Sequence, residues 1–240
     1  APSGATSYQL EESANGGSWT LVQNAAAVSK AYTGKADGAY SYRVKACNAA
    51  GCSAYSAAGS ITVLTPPTAV PTVTAPASNY TGSYTVNWTT VPKATSYTLH
   101  VKVNGAVNGT NIYSGAGSAY NISGQGEGSY AYYVLACNGA GCANWSAPAT
   151  TQVTLVPAMP ASLTGYTEPD PDLLGSRYFY VNWSAVPGAT YYELTKGGIG
   201  GGVQNVTGTF YTTSGKGTRT YSVRACNPAG CSASKGPLTL

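Results

Sequence analysis

Six cysteines carry most of the reactive chemistry this chain could perform. They fall into three close pairs, Cys47/Cys52, Cys137/Cys142 and Cys226/Cys231. Each pair brackets four residues of the form Asn-x-x-Gly: Asn48 to Gly51, Asn138 to Gly141 and Asn227 to Gly230. Asn and Gly tolerate the positive φ of a tight hairpin. A disulfide across each hairpin is therefore geometrically reasonable. Zinc would need four Cys or His ligands together. Each pair offers two, and the chain has a single histidine, His100. The Cys-x-x-Cys spacing of redox motifs is absent. A bridge closing so short a loop contributes about 2 kcal/mol. Disulfides persist in oxidising compartments, which predicts an extracellular or cell-surface location reached by export.

The remaining candidates for chemistry are sparse. His100 is the only imidazole, and no carboxylate pattern accompanies it, so it reads as a strand residue rather than a general base. Glu168, Asp170 and Asp172 cluster in TEPDPDLLGS and are a weak candidate for Ca²⁺. Pro169 and Pro171 stiffen that segment, no Ca²⁺-loop motif is present, and it reads first as a solvated turn between two strands. No nucleophile, base and orienting group come together, so the chain reads as non-enzymatic and without a cofactor.

Composition narrows the classes further. Only 8 % of residues are charged, and the net charge of +4 comes from 12 Lys/Arg spread singly against 8 Asp/Glu. Nucleic acid would demand a basic stripe, which is missing. No apolar run approaches the ~18 residues of a membrane span. Tyr is abundant (20, against 2 Phe), and together with Thr and Val it favours pleated, half-buried strands.

The elements that position the cysteines repeat. YSYRVKACNAAGCSAYS, YAYYVLACNGAGCANWS and TYSVRACNPAGCSAS place their first cysteines 90 and then 89 residues apart, which means three copies of one module. A second landmark precedes two of them: VNWTTVPKATSYTL around Trp88 and VNWSAVPGATYYEL around Trp183. The first copy has only the tail of this landmark, PSGATSYQL. Proline-rich TPPTAVPTVTAP and VPAMPAS read as short, stiff connectors. The modules are accordingly 1–65, 66–156 and 157–240. Within them Tyr130, Tyr132, Val134 and Ala136 alternate with outward residues, as do Tyr40, Tyr42, Val44 and Ala46, and Tyr97, Leu99 and Val101. Period-two alternation with Gly- and Asn-rich turns predicts an antiparallel sandwich.

A Trp strand, a Tyr-x-Leu strand and then Y-x-x-x-V-x-A-x-N-x-x-G resembles the bacterial form of the fibronectin type III domain. The resemblance spans two full modules and the latter part of another. It implies an all-β chain of tandem immunoglobulin-like sandwiches, the first lacking its N-terminal strands. It makes Trp88 and Trp183 core residues of the second strand. Tyr40 and Tyr130 match the tyrosine corner, whose hydroxyl bonds nearby backbone. The third module has Arg219 there instead. No Arg-Gly-Asp is present, so integrin binding is not implied.

Two surface features follow. Glu11 should face Arg43 or Lys45, and Glu193 should face Arg224, on the outer sheet face. The second module has Tyr133 and Leu135 at the outward positions. With Trp145, and Tyr55 at the equivalent place in the first module, these form a candidate surface for polysaccharide or a partner protein. The absent strands of the first module imply either neighbouring modules in a longer chain or self-assembly by strand complementation. The combined expectation is a structural spacer array of a larger surface or secreted protein, or of a fibre, with adhesion through exposed aromatics as the alternative.

Overall fold

The computed structural model describes residues 4–240, and among them every regular element is a β-strand. In the second module, alternation along each strand sorts side chains onto two faces, and two sheets bury the apolar ones between them. One sheet runs Ala119–Ile122, Tyr84–Trp88, Val73–Thr74. The other runs Thr110–Gly115, Ser96–Val103, Gly128–Asn138, Ala149–Val153, with the short Ser78–Asn79 added in parallel at its edge. Val86, Trp88 and Ile122 from the first meet Tyr97, Leu99, Tyr132, Val134 and Ala136 from the second.

The third module repeats this order. Leu163–Pro169, Arg177–Trp183 and Phe210–Gly215 form one sheet. Gly202–Val206, Tyr191–Gly197, Thr220–Asn227 and Lys235–Thr239 form the other. Phe179, Val181 and Trp183 pack on Tyr192, Leu194, Tyr221, Val223 and Ala225. This strand order, three strands stacked on four with the core between, is a fibronectin type III-like sandwich.

The first module has the second sheet alone. Thr20–Ala25, Ser7–Ala14, Gly38–Asn48 and Gly59–Val63 pair in the same register as their counterparts, and among the described residues only an irregular segment, with Tyr32 against Tyr42 and Lys35 over Tyr40, lies over their inner face. Its buried apolar side chains are Tyr40 and Cys47, against eleven buried residues in the core of the second module. Residues 29–32, which correspond to the strand Ala119–Ile122, are irregular. A strand needs a ladder partner, and no described strand lies beside them.

The tyrosine corners form where expected. Tyr40 donates to the Ala36 carbonyl and Tyr130 to the Gly126 carbonyl, each at 3.0 Å. In the third module Arg219 lies over the Phe179 ring, 5.1 Å from its centroid, and donates to the Ser214 carbonyl at 3.4 Å. The corner is thus replaced by a cation–π contact and a longer hydrogen bond.

Candidate functional site

Three places gather the residues singled out in the sequence: the disulfide hairpins, the outer face of the second module, and the acidic turn of the third.

All three cysteine pairs are bridged, with Cα atoms 4.0 Å apart in each and no free thiol among the described residues. The turn geometry departs from the sequence reading in one respect. Only the glycine takes positive φ: 132° at Gly51, 146° at Gly141 and 132° at Gly230. The asparagine acts through its side chain. Its Oδ1 accepts from the backbone N–H two residues on, at 2.9, 2.9 and 2.8 Å for Asn48, Asn138 and Asn227. That closes the turn locally.

The other end of the same amide reaches out of the hairpin. Asn138 Nδ2 donates to the Thr65 carbonyl at 2.8 Å and to the Lys93 carbonyl at 3.1 Å. Asn227 Nδ2 donates to the Leu155 carbonyl at 2.8 Å. Thr65 and Leu155 occupy matching places, each just past the last strand of the preceding module. The second and third bridged hairpins therefore each hold the exit of the module before them. A carboxylate of the preceding module holds the exit segment at each joint, and at the first it also pairs with Lys93 of the next module. Asp37 accepts from Thr65 Oγ1 at 2.9 Å and pairs with Lys93 at 2.7 Å. Glu127, at the position matching Asp37, accepts from the Leu155 N–H at 3.1 Å. The Lys93 ammonium and then the Thr65 hydroxyl hold the Asp37 carboxyl below its usual range.

The outer sheet faces differ among modules. Arg43 binds Glu11 in the first at 2.7 Å, and Arg224 binds Glu193 in the third at 2.5 Å, as the alternation required. Tyr55 belongs to the first of these networks. Its hydroxyl donates to Glu11 at 2.5 Å, and the Arg43 guanidinium lies 4.1 Å from its ring centroid. The Tyr55 and Arg43 bonds lower the Glu11 carboxyl below its ordinary value.

The second module has no such ion pair. His100 faces Tyr133 across the strands and packs against Trp145, with ring centroids 6.3 and 5.4 Å away. Its Nδ1 donates to Asn111 Oδ1 at 2.8 Å, with no carboxylate in reach to make it a relay. His100, Lys102, Val107, Tyr133 and Trp145 line an open cleft of about 550 Å³. Trp145 is 44 % exposed and Val107 87 %. Leu135 lies opposite Thr98 on the same sheet face but does not line the cleft. His100, Lys102 and Val107 were not assigned to this surface from sequence. Register with Tyr133 could have supplied His100, whereas Val107 arrives on a loop that carries no periodic signal.

Glu168 and Pro169 extend a strand, and Asp170 opens the turn after it, its Oδ1 accepting from the Asp172 N–H at 3.1 Å. Among the described residues the one group of three potential metal-ligand atoms lying within 4.8 Å of one another is Glu193, Cys226 and Cys231. Those two sulfurs are bonded to each other and are not thiolates. Glu168, Asp170 and Asp172 do not reach that proximity.

The class the geometry defines is a tandem array of fibronectin type III-like sandwiches with bridged hairpins at their joints. No family model matches the chain, and no curated protein matches it. Among solved structures, the chicken CNTN1 FN1–FN3 domains align at 16 % identity over 100 % of this chain and 90 % of that one, with a TM-score of 0.37. The fold assignment rests on the strand order and cores of this chain itself.

Proposed function

We propose that the chain is a non-catalytic extracellular spacer, a stretch of bacterial-type fibronectin type III-like modules within a larger surface or secreted protein or a fibre. One observation carries this reading: at both joints the hairpin Asn amide of one module donates to the exit carbonyl of the module before it. Linked modules ordinarily move relative to each other unless their interface restrains them. Here the bond from the Asn amide to an exit carbonyl recurs at both joints, while a carboxylate reaches the next module only at the first. A repeated joint gives a repeated geometry, which is what a spacer requires. The bridges in every module agree with an oxidising compartment.

Small-angle X-ray scattering of the whole chain tests it. The native protein should fit one arrangement of modules. Asn138→Ala with Asn227→Ala should broaden the distance distribution while leaving the sandwiches folded. Native scattering that already needs freely jointed modules would end the proposal.

A second reading is favoured by the cleft around Trp145. Only in the second module does an aromatic group stand where the others have an internally satisfied Glu–Arg pair. An aromatic face beside Lys102 and His100 suits a polysaccharide with acidic substituents. Binding on a glycan array that disappears with Trp145→Ala would support it; an empty array would leave the spacer role alone.

A further inference from the structure

An Asn-Gly pair is a place where a polypeptide can modify itself. The backbone nitrogen after the asparagine can attack the side-chain Cγ, and glycine leaves that approach unhindered and the backbone free to bend. The chain has four such pairs: Asn15-Gly16, Asn104-Gly105, Asn108-Gly109 and Asn138-Gly139. The fold treats them unequally. Asn15 Oδ1 accepts from the Ala39 N–H at 2.9 Å, and Asn104 Oδ1 accepts from the Ser129 N–H at 2.8 Å. Asn138 is held three times, by the Ala140 N–H and by the Thr65 and Lys93 carbonyls. Swinging any of these Cγ atoms over the next nitrogen breaks those bonds first. Asn108 is exposed on the rim of the cleft beside Trp145, and among the described residues no such bond holds its side chain.

Packing imposes the glycine at this pair. A Cβ on Gly109 would collide with the Val101 carbonyl and with Nε2 of His100. The same closeness lays the imidazole directly against Gly109. His100 Nδ1 donates to Asn111 Oδ1 at 2.8 Å, which fixes the tautomer and leaves Nε2 with its lone pair. A base therefore stands beside the residue whose N–H must lose its proton for the attack to proceed.

We propose that Asn108 is a self-modification site, converted to aspartate or isoaspartate by attack of the Gly109 nitrogen, with His100 taking the proton. The Gly109 N–H gives its proton to His100 Nε2 as its nitrogen bonds to Asn108 Cγ. The Cγ–Nδ2 bond then breaks, and the amide leaves as ammonia carrying that proton. Water opens the cyclic imide at either carbonyl. One water is consumed and one ammonia released, and no other reactant enters.

The product places a carboxylate on the rim of a cleft whose cation is Lys102, and so cancels the positive charge that an acidic polysaccharide would meet there. That consequence rests on the polysaccharide reading of the cleft; the modification itself does not.

The test incubates the full chain in mildly alkaline buffer and follows the four Asn-Gly sites by mass spectrometry and isoaspartate-specific methylation. Each side-chain bond that must break slows the reaction about fivefold, the rate equivalent of ~1 kcal/mol. Asn108 should therefore convert at least about fivefold faster than Asn15 and Asn104, and about a hundredfold faster than Asn138. In urea, where those bonds are lost, the four rates should converge. His100→Gln should slow Asn108 severalfold and leave the other three sites unchanged, which also shows that the variant is folded. Similar rates at all four sites in the folded chain, or Asn138 leading, would overturn the proposal. An Asn108 rate that His100→Gln does not change would overturn the part given to the histidine. On a glycan array, binding by fresh protein that Asn108→Asp abolishes would support the charge effect, and equal binding by the two would refute it. Fresh protein that binds no glycan would remove the polysaccharide reading and not the modification, which mass spectrometry reads without a ligand.

Discussion

Two buried tyrosines at equivalent positions should respond in opposite directions to loss of the same atom. Tyr132 and Tyr221 are both fully buried. The Tyr132 hydroxyl shares a 2.6 Å hydrogen bond with Tyr84. The residue matching Tyr84 in the third module is Phe179, and the Tyr221 hydroxyl makes no well-formed hydrogen bond, its polar neighbour being the Arg219 guanidinium. Burial pushes both phenols upward, so each stays protonated at any ordinary pH and protonation does not enter the comparison. Tyr132→Phe removes a hydrogen bond and leaves the half-buried Tyr84 hydroxyl to find water. That should cost the second module about 1–2 kcal/mol. Tyr221→Phe removes a buried hydroxyl that lies by Arg219 without a well-formed hydrogen bond. It should stabilise the third module by about 1 kcal/mol, less a small loss of packing. In a domain of this size ~1 kcal/mol moves the midpoint by about 4–8 °C. Thermal unfolding followed through amide NMR signals would resolve the modules, since transitions of separate modules need not coincide. If Tyr221→Phe destabilises the third module as much as Tyr132→Phe does the second, the reasoning fails, because Tyr221 must then be hydrogen-bonded in solution.

Other outcomes follow from the joints and bridges. Asp37 has its carboxyl pKa held below the ordinary 3.8, so its contribution to the first joint is complete above that value and fades as pH falls through the depressed one. Asp37→Asn should reproduce the acid effect at neutral pH, read as independent tumbling of the first two modules by NMR relaxation. Replacing Cys137 and Cys142 by Ala should lower the stability of the second module by about 2 kcal/mol without unfolding it, measured by urea titration, because the closed loop is short. Gly141→Ala at φ 146° should cost more than a surface Gly→Ala change. The backbone there is closed to most side chains, and a Cβ would also come within 3.2 Å of Pro66. The expected readout is a weakened first joint in scattering together with a lower midpoint for the second module.

Much of this architecture is legible in the sequence because period-two alternation and a near-constant repeat length leave few alternatives. Leu99 and Val134 identify an inward face on sight, and Cys137 with Cys142 identifies the hairpin. Other features require the third dimension. Asn138 looks like a turn residue, and it is one, but nothing in its local sequence says that its Nδ2 will meet a carbonyl 73 residues away. Glu12 lies on the inward face by strict alternation from Tyr8 and Leu10. A carboxylate is tolerable there only because Lys35 pairs with it and the face is uncovered. Tyr55 looked like a free aromatic until register placed Glu11 and Arg43 against it.

Residual dipolar couplings from the intact chain test the repeated, restrained joint most directly. If the Asn-clasped joints hold, couplings from the second and third sandwiches fit one alignment tensor with a common magnitude and orientation. Two tensors of clearly different magnitude would show modules that reorient independently, and the account of the hairpins as joint-forming devices would be wrong.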